Sequence, residues 1–130
     1  MQRLPFLFVA ESDGKGRGIF TSQTINPGDL IEVCLVIVMP KKELKIIDET
    51  VLFNYYFLWG EKQKKCAICL GYGSLYNHAY YANAQYKLDL NNKTIDFFCI
   101  KPIEAGDEIT VNYNGESGDE KKVWFDKKNS

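Results

Sequence analysis

The stretch Cys69-Leu-Gly-Tyr-Gly-Ser-Leu-Tyr-Asn77-His78-Ala-Tyr-Tyr-Ala-Asn83-Ala84 decides how this chain folds. It contains the only histidine, His78, and pairs it with Asn77. Gly71, Gly73 and Asn83 punctuate it, so it makes a poor helix and a poor strand. Glycine and asparagine tolerate positive φ, which predicts sharp turns here. Asparagine side chains also give donors and acceptors to nearby backbone. The rest of the chain is expected to fold around this loop.

Around it lie 130 residues, enough for one domain with a single hydrophobic core. A net charge of −1 argues against a nucleic-acid binder held by a broad basic field. Aromatics make up 14% of the chain, and tyrosine combines a flat apolar wall with a polar tip. The cysteines are Cys34, Cys66, Cys69 and Cys99. Three sit in apolar surroundings, as reduced core thiols of a cytosolic protein do. Cys66-x-x-Cys69 is half of a zinc pattern with no second pair, so no metal is expected. The longest apolar run, Val33 to Met39, is far too short to span a bilayer.

Taken in order, Phe6 to Ala10 reads as the first strand rather than a signal sequence. Asp13-Gly-Lys-Gly-Arg-Gly18 has alternate glycines but neither the helix of a dinucleotide fingerprint nor the Gly-Lys-Ser/Thr of a phosphate loop. It reads as a flexible turn or as backbone that approaches a ligand closely. Leu30 to Met39 is rich in Val and Ile and reads as one or two buried strands ending at Pro40. Lys41 to Lys45 reads as a solvated charged stretch. Asp48 with Val51, Leu52, Tyr55, Leu58 and Trp59 predicts a capped core helix stopping at Gly60. Tyr86 to Leu90, Asn91-Asn92 and Lys93 to Ile100 predict a hairpin with a two-residue turn. Gln23-Thr-Ile-Asn-Pro-Gly28-Asp and Lys101-Pro-Ile-Glu-Ala-Gly106-Asp echo one another as turns. Ile109 to Tyr113 predicts a short strand. Val123-Trp124-Phe125 is an isolated apolar trio that should dock on something. Short strands with Gly, Pro and Asn turns predict a mainly β domain with one helix.

Four blocks in order resemble the SET domain, the β-clip fold of protein-lysine methyltransferases. They are Lys15-Gly16-Arg17-Gly18-Ile-Phe with Ile25-Asn-Pro-Gly-Asp-Leu-Ile-Glu32, Asn54-Tyr55-Tyr56-Phe57, Asn77-His78-Ala79-Tyr80-Tyr81-Ala82-Asn83-Ala84, and Ile103-Glu-Ala-Gly-Asp-Glu-Ile-Thr-Val-Asn-Tyr113. The family's Asn-His-Ser-Cys-x-Pro-Asn keeps only Asn77, His78 and Asn83 here. The zinc cluster that follows many such domains has no counterpart. The chain therefore resembles the minimal stand-alone SET proteins of viruses and bacteria, some of which are dimers. The resemblance implies a SET domain over residues 1–114 and a tail, 115–130, whose Trp124 and Phe125 pack over the cofactor. It implies a C-terminal pseudoknot, with the strand ending at Tyr113 tucked under the Asn77–Asn83 segment.

The implied cofactor is S-adenosylmethionine. By resemblance, Lys15, Gly16, Arg17 and Gly18 lie against its methionine and ribose, their lack of Cβ atoms at 16 and 18 allowing close approach. Tyr55 is expected at its carboxylate, Asn77 at its amino group and His78 at adenine through backbone, with a structural imidazole. Tyr113 is expected at the catalytic position, aligning the methyl group rather than acting as a general base. Tyr86 is expected to narrow the lysine channel, because the family's usual Phe/Tyr switch position is Val111. Tyr72 and Tyr76 read equally as channel wall or core.

The implied substrate is a lysine-containing protein, a histone or another basic tail, with neither nucleic acid nor membrane as a partner. Glu104, Asp107, Glu108, Glu116, Asp119 and Glu120 are available to attract such a tail. A homodimer stays open, and the expected location is the cytoplasm of a bacterium or infected host, or the nucleus if host histones are the target. Two other readings compete: a SET-like binding module without transferase activity, and a Cys-His hydrolase using His78 with Cys69 or Cys99.

Overall fold

A computed structural model describes residues 2–114, 118 and 120. In chain order the strands are β1 Gln2–Arg3, β2 Leu7–Ser12, β3 Gly16–Thr21, β4 Leu30–Met39, β5 Tyr56–Trp59, β6 Lys65–Cys69, β7 Asn77–His78, β8 Ala84–Asp89, β9 Thr94–Cys99 and β10 Glu108–Val111. One α-helix, α1, spans Lys41–Ile47, and 3-10 turns cover Val51–Asn54 and Gly73–Leu75.

The β-branched run of β4 forms a single unbroken strand that ends where Pro40 removes a ladder donor. It is the spine of the larger sheet, ordered β5-β6-β4-β9-β8, with β1 also paired to β4. The smaller sheet runs β2-β3-β10-β7. Between them Ile19, Ile25, Ile31, Ile95, Phe97, Ile103 and Ile109 are sealed from water. Each side chain of that size contributes roughly 1.5–3 kcal/mol when fully buried.

The two echoing turns meet. Ile25 and Ile103 exchange backbone hydrogen bonds of 2.8 and 3.0 Å. In each turn an aspartate accepts from the backbone three residues back: Asn26 N to Asp29 Oδ2 at 3.0 Å, and Glu104 N to Asp107 Oδ2 at 3.2 Å. Gly28 and Gly106 both sit at φ +93°, a conformation that L side chains rarely adopt. The sequence echo is thus a local pseudo-symmetry in the structure.

Strand β10 carries the expected crossing. It pairs antiparallel with β3 and parallel with β7, with Thr110 opposite Asn77 and Val111 opposite His78. Segment Asn77–Asn83 closes over it. Asn83 Nδ2 donates to the Glu108 carbonyl at 2.9 Å, and Thr110 N donates to Asn83 Oδ1 at 2.9 Å. Asn112 Nδ2 reaches the Tyr80 carbonyl at 3.1 Å. These asparagines satisfy backbone that no regular ladder covers, which is why they are there.

The local structure between Lys41 and Gly60 differs from expectation. Residues 41–47 form α1 rather than a solvated loop, with Pro40 at the N-cap and only Ile47 buried. Asp48 ends that helix instead of starting one. The predicted core helix over 51–59 is a 3-10 turn capped by the Thr50 hydroxyl, then strand β5. Val51, Leu52 and Leu58 are exposed, so the helical spacing of apolar residues was fortuitous. Pairing with β6 outweighs the weak local helix signal. The β8–β9 hairpin is present, but its turn is a four-residue loop between the Asp89–Thr94 pair, with Lys93 at φ +55°. The first strand proper starts at Leu7 and runs to Ser12, preceded by the two-residue β1.

Candidate active site

Lys15 follows the tight turn closed by its own N–H on the Ser12 carbonyl at 3.0 Å. Its Nζ then donates to the His78 carbonyl at 3.1 Å, strapping the β2–β3 turn to β7. Between these elements and the Gly73–Leu75 turn lies a cavity of about 380 Å³, lined by Glu11, Lys15, Gly16, Arg17, Asn54, Tyr55, Ser74, Leu75, Asn77 and Tyr113. That volume suits one small organic ligand. Five residues predicted for a cofactor, Lys15, Gly16, Arg17, Tyr55 and Asn77, come together here with Tyr113.

Gly18 and His78 stand behind this wall. A Cβ on Gly18 would lie 2.3 Å from Glu108 Oε2 and 2.7 Å from Asn77 Nδ2. The missing Cβ at 18 therefore admits a side-chain pair, whereas at Gly16, where φ is +75° and no atom crowds a Cβ, backbone conformation is the reason. His78 is buried, and its Nδ1 accepts from the Tyr113 backbone N–H at 3.0 Å. Its ring packs edge-on to Tyr80 with centroids 4.4 Å apart. The imidazole is a structural group that fixes where Tyr113 leaves β10. Trp124 and Phe125 lie outside the described residues, as do Glu116 and Asp119.

A second cavity, about 530 Å³, opens on the other side of Tyr113. Phe57, Tyr76, Tyr86 and Leu88 line it with Phe53, Leu58 and Gln63, and it shares Asn54, Tyr55, Ser74 and Tyr113 with the first. Phe57 meets Tyr86 edge-on at 5.1 Å between centroids, and Phe97 packs behind at 4.6 Å from Tyr76. Such rings can surround an aliphatic stem and shed water from its end. The Tyr86 hydroxyl points toward the Tyr113 carbonyl at 3.4 Å. Val111 is buried in the core and lines neither cavity.

Tyr113 is the hinge between the cavities. Its hydroxyl donates to the Tyr76 carbonyl at 3.0 Å. Burial first, then the fields of Tyr55, Glu108 and Tyr86, push the phenol up to about 12. It therefore stays protonated at neutral pH.

Two functional side chains escaped the sequence. Glu32, on β4, is fully buried. It accepts from the Tyr76 hydroxyl at 2.7 Å, the Tyr72 N–H at 3.1 Å and Arg3 Nη1 at 3.4 Å. Arg3 also lies 3.8 Å over the Tyr72 ring. This network anchors the turn whose Ser74, Leu75 and Tyr76 wall both cavities. Glu108 is the other: it accepts from Ser12 Oγ at 2.6 Å and Asn77 Nδ2 at 2.8 Å. Glu32 is the single charged residue in Leu30 to Met39, the one signal that set it apart, whereas Glu108 follows Asp107 and carried no such signal.

All four cysteines are buried free thiols. A hydrogen bond to Cys69 and burial push Cys34 well above the ordinary thiol range. Burial likewise raises Cys99, whose Sγ donates to the Lys101 carbonyl at 2.9 Å. A nucleophilic thiol needs the opposite shift and access to substrate, so Cys99 does not support the hydrolase reading, and Cys69 is buried as well. Among the described residues no three His, Cys, Asp or Glu side chains gather as a metal site, and no helix is long and apolar enough to cross a membrane.

Residues 16–114 match the SET domain family. A Schizosaccharomyces pombe protein named histone-lysine N-methyltransferase, H3 lysine-37 specific, is 30% identical over 121 residues, covering 92% of this chain and 77% of its own. The fold is similar to that of the Neurospora SET domain protein DIM-5, a histone lysine methyltransferase, with a TM-score of 0.67, 17% identity, and coverage of 90% of this chain and 55% of that one. It is also similar to ctPRC2 in an autoinhibited conformation bound to S-adenosylmethionine, with a TM-score of 0.69, 23% identity, and coverage of 82% and 15%. With these matches added to two cavities that meet at Tyr113, the chain belongs to the SET-domain family of protein-lysine methyltransferases.

Proposed function

We propose that the protein moves a methyl group from S-adenosylmethionine to the side-chain amine of a lysine in a histone or similar basic protein. The observation that carries this is the pair of cavities with different linings that share Tyr113. The residues of the first suit a zwitterion. Lys15, Arg17 and the Tyr55 hydroxyl suit its carboxylate, and Asn77 suits its ammonium. When bound there, S-adenosylmethionine supplies an electrophilic methyl on a sulfonium sulfur.

The chain's own residues then do three things. Phe57, Tyr76 and Tyr86 hold the lysine stem and desolvate its nitrogen, which favours the neutral amine over ammonium. Tyr113, its hydroxyl held by the Tyr76 carbonyl and its backbone by His78, supplies oxygen atoms at the junction that fix the line of attack. The neutral amine would take the methyl with its lone pair while S-adenosylhomocysteine leaves, and the extra proton on the methylated amine would pass to solvent as the product side chain withdraws. Tyr86 narrows that cavity and favours low methylation states, since Val111 leaves its walls untouched.

The test is transfer of labelled methyl from S-adenosylmethionine to core histones, with the modified lysine identified by mass spectrometry. Wild type transfers label and Tyr113→Phe does not. Tight cofactor binding with no label on any lysine would instead support a binding module.

A further inference from the structure

Glu108 stands one layer behind the first cavity and is tied to it through Asn77. The Asn77 amide nitrogen gives one hydrogen to Glu108 Oε2 at 2.8 Å and the other to the Arg17 carbonyl at 3.1 Å. Both partners are acceptors only, so the amide has one orientation that satisfies them. With both hydrogens used, Oδ1 is the atom that Asn77 has left to offer the cavity it lines. Glu108 is itself held by Ser12 Oγ at 2.6 Å and by the β10 backbone, whose Glu108 carbonyl takes Asn83 Nδ2 at 2.9 Å. Gly18 leaves the space that the pair fills. A carboxylate so placed puts negative charge behind the cavity wall at the Asn77 amide, opposite in sign to Lys15 and Arg17, which line the same cavity.

We propose that Glu108 is a positioning residue for the cofactor's ammonium group: by holding the Asn77 amide nitrogen it leaves Oδ1 to the cavity, and it supplies a countercharge behind that amide. This rests on the reading of the first cavity as the S-adenosylmethionine site. Glu108 acts through Asn77 and touches no reacting atom. Its contribution is therefore to affinity and to selectivity for an amine-bearing ligand.

The experiment is calorimetric titration with S-adenosylhomocysteine and with its analogue lacking the α-amino group. Wild type should bind the parent at least about ten-fold more tightly, the worth of one charge-assisted hydrogen bond. Equal affinities in wild type would overturn the inference without any variant being made. Glu108→Gln should lose most of that discrimination by weakening the parent alone, and Glu108→Ala should lose it all. Equal loss for both ligands would mean a merely structural role. Asn77→Ala should abolish the discrimination too, and the double variant Asn77→Ala with Glu108→Gln should show no further loss; additive losses would contradict action through Asn77. If wild type binds neither ligand, the cofactor reading itself fails, and that result is distinct from loss of selectivity alone.

Discussion

The two cavities on either side of Tyr113 are built to opposite rules. The first is walled by charges and amides from β2, β3, the turn between them and β7, with Lys15 and Asn77 tied to the backbone of neighbouring elements. The second is walled by aromatic rings from β5, β8 and the turn before β7, packed on one another and on Phe97. On the proposed function, one side would fix a polar ligand by directed hydrogen bonds. The other would hold a greasy stem and keep water off its tip. The difference teaches how a small domain can align two reactants: it needs no acid or base, only two pockets of unlike chemistry sharing one rigid wall.

The shared wall is where the largest effect is expected. Glu32→Ala removes the acceptor of three donors, leaving the buried Tyr76 hydroxyl and the Arg3 guanidinium without it. Breaking a buried charged network in this way costs about 3–5 kcal/mol. Thermal unfolding should show a large drop in Tm, with both ligands lost together. A fall confined to one ligand would show that the cavities do not depend on a common support.

Tyr113→Phe tests the junction itself. Turnover should fall by about 100- to 1000-fold, the usual scale for losing one positioned oxygen in a transition state, with cofactor affinity nearly unchanged. The pH dependence follows from the direction of its shift. The phenol is raised in the folded protein from the ordinary 10 to about 12. Its contribution to stability is therefore complete below pH 10 and is lost as pH rises through 12. Denaturation curves of wild type and Tyr113→Phe should converge across that window and stay parallel below it. Convergence near neutral pH would mean the hydroxyl ionises where the account says it does not.

Smaller effects separate the sides. Gly18→Ala pushes apart the Asn77–Glu108 pair and should weaken S-adenosylhomocysteine by about ten-fold, the scale of one charged hydrogen bond, while leaving a lysine peptide's affinity alone. Tyr86→Phe should do the reverse. Its product distribution, read by mass spectrometry, should shift toward higher methylation, with cofactor affinity intact. An unchanged distribution would remove Tyr86 from the channel's size control.

Much of this was legible in the sequence because it is written in short-range chemistry. Gly-Asn-rich loops, Asn-Pro-Gly-Asp turns and the alternation of residues 84–99 each have one favoured backbone answer. Asn77 and Tyr113 were placed together by the ordered blocks, and the Val111–His78 register puts them there. Residues 51–59 failed because Tyr, Phe, Leu and Trp without intervening polar residues fit a helix face and a strand equally well, and only the distant β6 decides. Helix α1 was missed because its lysines hid the Leu44–Ile47 spacing. Glu32 was invisible as an anchor because the hydroxyl it holds lies 44 residues away. Gly18 was read as space for a ligand, yet the space is filled by Glu108 and Asn77.

The central claim is that the two cavities are two halves of one reaction path through Tyr113. A crystal structure with S-adenosylhomocysteine and a lysine peptide bound together tests it most directly. The account predicts the thioether sulfur in the first cavity and the lysine nitrogen in the second, facing each other at the junction beside Tyr113 with only the space of a methyl group between them. A lysine side chain lodged anywhere outside the cavity lined by Phe57, Tyr76 and Tyr86 would contradict it.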